Sequence, residues 1–318
     1  MEYLWAGCRL SHSLKAKFTN GNLTTALHVF DGSIYYISIT KMTEKPLRIV
    51  VVGGVAGGAT AAARARRCNA TAEIIILEKG PAVSFANCGL PYHIGGEIED
   101  RGKLLVATSE LFKHRFKVEV RTGHNVERID RQSQMVYGRT TQSTEFSIPY
   151  DKLILATGSE PIHPDFWKIE ADNLFQLWTL DDMDRILAQL RTRPCRQATV
   201  IGAGFVGLEV VEQLARLGIH VSLIERLPQV LWPLDAEMTR LIQEELERNG
   251  VQVLLNASVS QLSVTGGSVK ELRLGDGRLL KTDLVIVGAG VRPRTELAVA
   301  AELMLGQSGG VAVNEHCQ

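Results

Sequence analysis

Residues 47–58 read Leu47-Arg48-Ile49-Val50-Val51-Val52-Gly53-Gly54-Val55-Ala56-Gly57-Gly58, an apolar strand that runs directly into a glycine-rich turn. An alanine-rich helical run from Ala59 to Arg67 follows, then a second apolar strand, Glu73 to Leu77, ending at Glu78. Strand, tight turn, helix, strand and acidic residue is the order that a dinucleotide-binding unit requires. Gly53 permits the sharp turn, while Gly57 and Gly58 let the helix N-terminus approach both the sheet and a pyrophosphate. Glu78 is placed to accept hydrogen bonds from a ribose. The middle glycine of the G-x-G-x-x-G pattern is Val55 here, so the match rests on its flanking strands and helix rather than on the six residues.

The same order recurs downstream. Thr199-Val200-Ile201 enters Gly202-Ala203-Gly204-Phe205-Val206-Gly207, a complete G-x-G-x-x-G, followed by a helical stretch to Leu217 and a strand from Ile219 to Ile224 that ends at Glu225. Glycine turns also occur in α/β domains that bind nothing. Two copies, each between apolar strands and each followed roughly twenty residues later by a glutamate, predict two dinucleotide sites.

The repeat extends beyond the loops. Each unit continues into a polar, turn-rich region that reads as antiparallel strands and then into a buried strand closed by glycine: Leu153-Ile154-Leu155-Ala156-Thr157-Gly158 in the first, Leu284-Val285-Ile286-Val287-Gly288-Ala289-Gly290 in the second. Gly275-Asp276-Gly277 is a hairpin signal. A helix is expected from Asp181-Asp182 to about Leu190 and another from Asp235 to Arg248, stopped by Asn249-Gly250. The expected fold is α/β: two Rossmann-like dinucleotide-binding domains in tandem, each a three-layer unit with a parallel sheet and an antiparallel β-meander. The expected boundaries are 46–160 and 161–290, with 291–318 beginning a return to the first domain and 1–45 standing outside the repeat.

Between the loops lies Ser84-Phe85-Ala86-Asn87-Cys88-Gly89-Leu90-Pro91-Tyr92, with one cysteine and no CxxC or CxxxxC partner. Gly89 and Pro91 punctuate the backbone there and place Cys88 near the mouth of a helix, where amide N–H groups and the helix dipole favour a thiolate. A buried, inert thiol is the alternative for an isolated cysteine.

With these motifs the chain from about Pro46 onward resembles the single-cysteine branch of the pyridine nucleotide-disulfide oxidoreductases, which holds coenzyme A disulfide reductases, NADH oxidases and NADH peroxidases. The segment SFANCGLPY resembles the first of these most closely. The resemblance implies FAD on the first loop, a nicotinamide cofactor on the second, and Cys88 as the redox residue beside the flavin. It carries cofactor contacts to Gly53, Gly57, Gly58, Glu78, Lys79, Ala156, Thr157 and Gly158, and to Gly202, Gly204, Phe205, Gly207, Glu209, Glu225, Gly288 and Arg292. Phe205 matches an aromatic gate over the flavin, with a core aromatic as the alternative, and Glu209 matches a glutamate near the nicotinamide. Thr60, Arg64, Arg67, Ser84 and Asn87 match positions that hold coenzyme A. A basic contact expected near Phe116 meets a phenylalanine flanked by Arg115 and Lys117.

Oxidase and peroxidase members carry a histidine in the first glycine loop where this chain has Ala56, which shifts the reading toward a disulfide or persulfide substrate. Thr60, Arg64 and Arg67 share one helical face while Ala59, Ala62 and Ala63 can face the sheet. Two guanidiniums on one stripe suit the phosphates of coenzyme A; a solvated basic face is the alternative. Glu225 favours NADH over NADPH because a carboxylate binds ribose hydroxyls and repels a 2′-phosphate, although Arg226 beside it is able to reach one. The expected activity is FAD-dependent, NADH-driven reduction of coenzyme A disulfide or a related disulfide or persulfide. An NADH oxidase or peroxidase, or a silent nucleotide-binding fragment, are the alternatives.

Lysine plus arginine equals aspartate plus glutamate at 35 each, so no net field favours nucleic acid or an anionic membrane. Five cysteines, Cys8, Cys68, Cys88, Cys195 and Cys317, lack disulfide or zinc spacing, no histidine pair suggests a metal, and a reducing, cytoplasmic setting is expected. The C-terminal stretch to Gln318 resembles the segment just before the family's second FAD motif. A longer enzyme is therefore expected, with an interface domain that forms a homodimer; some relatives continue further into a rhodanese domain. Met42-Thr43-Glu44-Lys45-Pro46 resembles a start placed directly before the first strand, and residues 1–41 do not read as a signal peptide.

Overall fold

The computed structural model describes residues 17–20, 23–30, 33–40 and 45–318. It divides into one unit up to Leu47 and a second from Arg48 to Gln318. In the first, β1 (Lys17–Asn20), β2 (Leu23–Phe30) and β3 (Ser33–Thr40) form an antiparallel sheet in that order. The β2 and β3 sequences, LTTALHVF and SIYYISIT, are rich in β-branched and aromatic residues, a strand signal that the absence of a βαβ pattern had overshadowed. The expected start at Met42 lies outside the described residues.

The second unit begins with β4 (Arg48–Val52), α1 (Gly57–Cys68) and β5 (Glu73–Leu77). There follow α2 (Leu90–Ile94), α3 (Ser109–Leu111), which continues into a π-type turn at Phe112–Phe116, and β6 (Glu119–Arg121). A meander of β7 (His124–Asp130), β8 (Met135–Thr140) and β9 (Glu145–Pro149) precedes β10 (Lys152–Leu155). The parallel sheet has the order β10-β4-β5-β6. Its two middle strands are buried along almost their whole length, as a sheet covered on both faces demands. Each buried Val, Ile or Leu contributes roughly 1.5–3 kcal/mol before entropy is counted.

After β11 (Ser159–Pro161) and β12 (Leu174–Phe175) the pattern repeats. It runs through α4 (Leu180–Thr192), β13 (Gln197–Ile201), α5 (Phe205–Arg216), β14 (His220–Ile224), α6 (Ala236–Arg248) and β15 (Gln252–Leu254). A second meander, β16 (Val259–Thr265), β17 (Ser268–Leu274) and β18 (Leu279–Lys281), leads into β19 (Leu284–Val287). The second parallel sheet has the order β12-β19-β13-β14-β15. The Gly275–Gly277 hairpin forms as expected, with Gly277 at φ +90°. Helix α4 begins one residue ahead of its expected start, because Thr179 caps it and Asp182 returns the bond to the cap in a capping box.

A two-stranded ribbon joins the halves, with β11 antiparallel to β20 (Val291–Pro293). Helix α7 (Glu296–Ala300) then leads Leu297, Ala301 and Leu303 into the same apolar cluster as Val50, Ile75 and Leu77, so the chain after β20 returns to the first sheet. Among the described residues no helix is long and apolar enough to cross a membrane.

Candidate functional site

The two glycine loops are built alike. Gly53 and Gly202 take φ of +94° and +103°, conformations that cost a side-chain-bearing residue steric energy. A Cβ on Gly53 would lie 2.1 Å from the Ala156 carbonyl oxygen, and one on Gly202 would lie 2.2 Å from that of Gly288. The helix-opening glycines are constrained as tightly: a Cβ on Gly58 would meet the Gly53 oxygen at 1.8 Å, and one on Gly207 the Gly202 oxygen at 2.0 Å. The outward glycines are free. Gly57 would meet only the Ala156 Cβ at 3.8 Å, and Gly204 nothing within 4 Å. Neither α1 nor α5 has a side-chain cap or an acidic residue in its first turn, so their leading amides remain open to an anion.

The acidic residues have a further role that the sequence reading did not include. Glu78 accepts bonds from the Gly54 and Gly80 amides, both at 2.7 Å, and Glu225 accepts from Ala203 at 2.7 Å and Leu227 at 2.9 Å. Each carboxylate therefore clasps its glycine loop, and any ribose must share its remaining lone pairs. Glu78 is only 6% exposed, whereas Glu225 is half-buried.

Cys88 is exposed, so it is not an inert core thiol. It occupies a 3₁₀ turn, Asn87–Gly89, that runs into α2, and the five-residue length of α2 limits the dipole it offers. Upstream, the Ser84 amide donates to the Gly54 oxygen at 3.0 Å, which ties the segment to the first loop. Ser84 itself sits at φ +49°. Downstream, Leu90 and Ile94 pack in one apolar cluster with Val210, Val211 and Leu214 of α5. The cysteine turn is thus held by both nucleotide units. Tyr92, one helical turn on, has its phenol pKa raised by the negative field of Glu209, then by its own burial, then by Glu212, Glu97 and Cys88. Burial and the neighbouring Glu212 raise the Glu209 carboxyl in turn.

Thr60, Arg64 and Arg67 are all exposed along one stripe of α1, while Ala59 and Ala62 are buried against the sheet. Arg66, between them, is committed instead to structure: it donates to the Phe116 and Lys117 carbonyls, each at 2.8 Å. Asn87 is exposed and donates weakly to the Trp178 carbonyl. Lys79 is exposed beside Glu78. Phe205 is 65% exposed, which excludes the core-aromatic alternative. Thr157 Oγ1 donates to the Arg294 carbonyl at 2.8 Å, and Gly158 has φ +69°. Arg292 is ion-paired with Glu160 across the ribbon.

Three residues at the α2–α5 contact escaped the sequence reading: Glu97, Gln213 and Arg216. Gln213 Nε2 donates to Glu97 Oε1 at 2.9 Å, and Arg216 pairs with the same oxygen. The signal in the chain was an amide side chain within the apolar stripe Val210, Val211 and Leu214.

A family profile for pyridine nucleotide-disulphide oxidoreductases matches residues 47–318. Among curated proteins, the coenzyme A disulfide reductase of Staphylococcus aureus strain JH9 is 38% identical over 270 residues, which are 84% of this chain and 60% of that protein. Among solved structures, reduced Bacillus anthracis CoADR-RHD superposes with TM-score 0.82 at 42% identity, covering 86% of this chain and 49% of that one. An NAD-dependent persulfide reductase from A. fulgidus gives TM-score 0.81 at 33% identity, covering 85% and 50%.

Proposed function

This chain belongs to the pyridine nucleotide-disulphide oxidoreductase family, and on that footing we propose that it serves a flavin-dependent NADH oxidoreductase reducing coenzyme A disulfide, or a related small disulfide or persulfide, through Cys88. The observation that carries this reading is the placement of Cys88: exposed, tied to the first glycine loop through Ser84 and Gly54, and packed on the helix of the second through Leu90 and Ile94. The S. aureus relative is named a coenzyme A disulfide reductase, and the A. fulgidus structure a persulfide reductase.

Both loops fit a dinucleotide. Their uncapped helices, outward glycines with open space and forced inner glycines form a cradle that a Cβ would fill. We assign FAD to the first loop, with Gly57, Gly58, Glu78, Lys79 and the Ala156–Gly158 turn around it. NADH goes to the second, with Gly204, Phe205, Gly207, Glu209, Glu225 and Gly288. To reach a nucleotide, Arg292 must release Glu160. The corresponding domain assignment is 46–160 and 291–318 for FAD and 161–290 for NADH. Exposed Thr60, Arg64 and Arg67, with Ser84 and Asn87, are assigned to coenzyme A, the guanidiniums to its phosphates. Residues 1–45 are assigned to none of these tasks. Cys68, Cys88, Cys195 and Cys317 are all free thiols, which suits a reducing compartment, and we assign the protein to the cytoplasm.

What the bound cofactors supply is two electrons, passed from NADH through the flavin to a disulfide at Cys88. The chain supplies the sulfur. Cys88 Sγ attacks one sulfur of the substrate, a protein–substrate S–S bond forms, and the other half leaves as a thiolate. Two-electron cleavage of that mixed disulfide restores the Cys88 thiolate and frees the second half. Tyr92, its pKa raised, stays neutral beside this chemistry.

Cys88→Ser tests the assignment. In the purified chain it is expected to abolish coenzyme A disulfide-dependent NADH oxidation while yellow colour and NADH affinity persist. Undiminished disulfide reduction in this variant would refute the role of Cys88. NADH consumption by the parent with oxygen alone and no disulfide would favour the oxidase reading.

A further inference from the structure

Superposing the glycine loops so that Gly58 matches Gly207 places Thr60, Arg64 and Arg67 of α1 opposite Glu209, Gln213 and Arg216 of α5. On α1 this stripe is exposed throughout. On α5 only its middle residue, Gln213, is fully covered by α2 and the turn that follows, the same segment that carries Cys88, while Glu209 is half-buried and Arg216 exposed. Gln213 is 0% exposed, unusual for an amide on a helix that otherwise buries Val210, Val211 and Leu214 there.

The contact is specific in shape and in hydrogen bonding. Gln213 Nε2 donates to Glu97 Oε1, which also receives Arg216, while Gln213 Oε1 finds no partner among the described residues. That oxygen points at the end of α2. A Cβ on Gly95 would lie 1.8 Å from it, and Gly95 has an ordinary right-handed φ of −75°. Any side chain at 95 must therefore displace Gln213, a constraint of space and not of backbone conformation. Leaving this buried carbonyl unpaired carries a cost in solvation.

We propose that Gln213 is a positioning residue for Cys88: with Gly95, Glu97 and Arg216 it forms a latch that fixes the cysteine-bearing turn against the helix of the second nucleotide loop. The proposal rests on the reading of Cys88 as the redox residue. Its geometric content, that Gln213 sets where Cys88 sits, holds whether or not the chain turns over.

The test is alkylation of Cys88 by iodoacetamide in the full chain, followed by peptide mass so that free Cys68, at the end of α1, serves as the internal control. Gly95→Ala drives a methyl into the Gln213 oxygen and is expected to change the Cys88 rate by at least about threefold, and to displace its pH profile, while Cys68 is unaffected. Gly95→Ala combined with Gln213→Ala removes the carboxamide from the methyl's path, leaving only the residue-213 Cβ at 3.0 Å, and is expected to recover at least about half of that change. A folded Gly95→Ala chain with an unaltered Cys88 rate and pH profile overturns the latch, as does a double variant no different from the single. If Gly95→Ala does not fold, Glu97→Gln, at an exposed position, takes its place: a shift of about twofold at Cys88 supports the latch and no shift overturns it. Alkylation needs no flavin or substrate. A normal latch with full turnover in Cys88→Ser would sink the redox reading alone.

Discussion

The two nucleotide units share a backbone device and differ in what covers it. In both, a left-handed glycine and a helix-opening glycine bring carbonyl oxygens to within about 2 Å of where a Cβ would stand, and a glutamate at the end of the next strand ties one amide of that turn to one amide of its own. The helices behind these turns diverge. The α1 stripe of Thr60, Arg64 and Arg67 is left to solvent, whereas the matching α5 stripe has its middle residue, Gln213, sealed by the segment that carries Cys88, with Glu209 half-buried and Arg216 exposed at its ends. One loop design thus carries two different outer helical faces, because the close approach that the glycines permit constrains only the backbone.

The comparison breaks most sharply at the helix-opening glycines. Gly58→Ala and Gly207→Ala each push a methyl into a backbone carbonyl, at a cost of about 1–3 kcal/mol in stability, and each is expected to disable its own loop only. The Gly58 variant should lose flavin absorbance yet keep NADH affinity, and the Gly207 variant the reverse, as read by visible spectra and NADH fluorescence titration. Loss of both ligands in either variant would mean that the loops do not act separately.

Such sites were legible because glycine is the residue whose necessity shows in a sequence: between an apolar strand and a helix, Gly53, Gly58, Gly202 and Gly207 stand where a sharp turn and a close helix approach leave no room for a side chain. The parallel strands were legible for a similar reason, as unbroken apolar runs. Gln213 was hidden because a single amide on an amphipathic helix has no periodic signature, and its partner Glu97 lies 116 residues away. The clasping role of Glu78 and Glu225 was hidden too, since a motif names the acid but not the amides it engages before a ribose arrives. Near Phe116, Arg66 reaches the Phe116 carbonyl from α1, a bond within the fold and not the basic substrate contact expected there. The antiparallel sheet of β1–β3 is signalled only by its β-branched and aromatic residues, with no helix between the strands to mark a βαβ unit.

The glutamate clasps sharpen the comparison at a smaller scale. Glu78→Gln and Glu225→Gln keep the side-chain shape but turn one acceptor into an NH₂ facing a backbone N–H, leaving a donor unpaired at a cost of about 1–3 kcal/mol where water is excluded. Glu78 is buried and Glu225 is half-buried, so water compensates only the second. Urea unfolding should therefore show a larger loss of midpoint for Glu78→Gln. Equal losses would mean that burial does not distinguish the two turns.

The smallest effect lies at Glu209, the α5 counterpart of Thr60, where burial and Glu212 raise the carboxyl above its usual 4.5. A carboxyl whose folded pKa exceeds its unfolded one binds its proton more tightly in the folded chain, so it favours folding at low pH and loses that contribution as pH rises through the glutamate range and past its folded value. Glu209→Gln removes the titration. Its stability relative to the parent should accordingly increase between pH 4 and pH 7, with the parent losing ground across that window, as followed by thermal melts at a series of pH values. Thr60→Val on the exposed α1 stripe should show no such pH dependence, because it replaces no ionisable group. A Glu209→Gln curve parallel to the parent would place the carboxylate in water and separate it from the face that α2 covers.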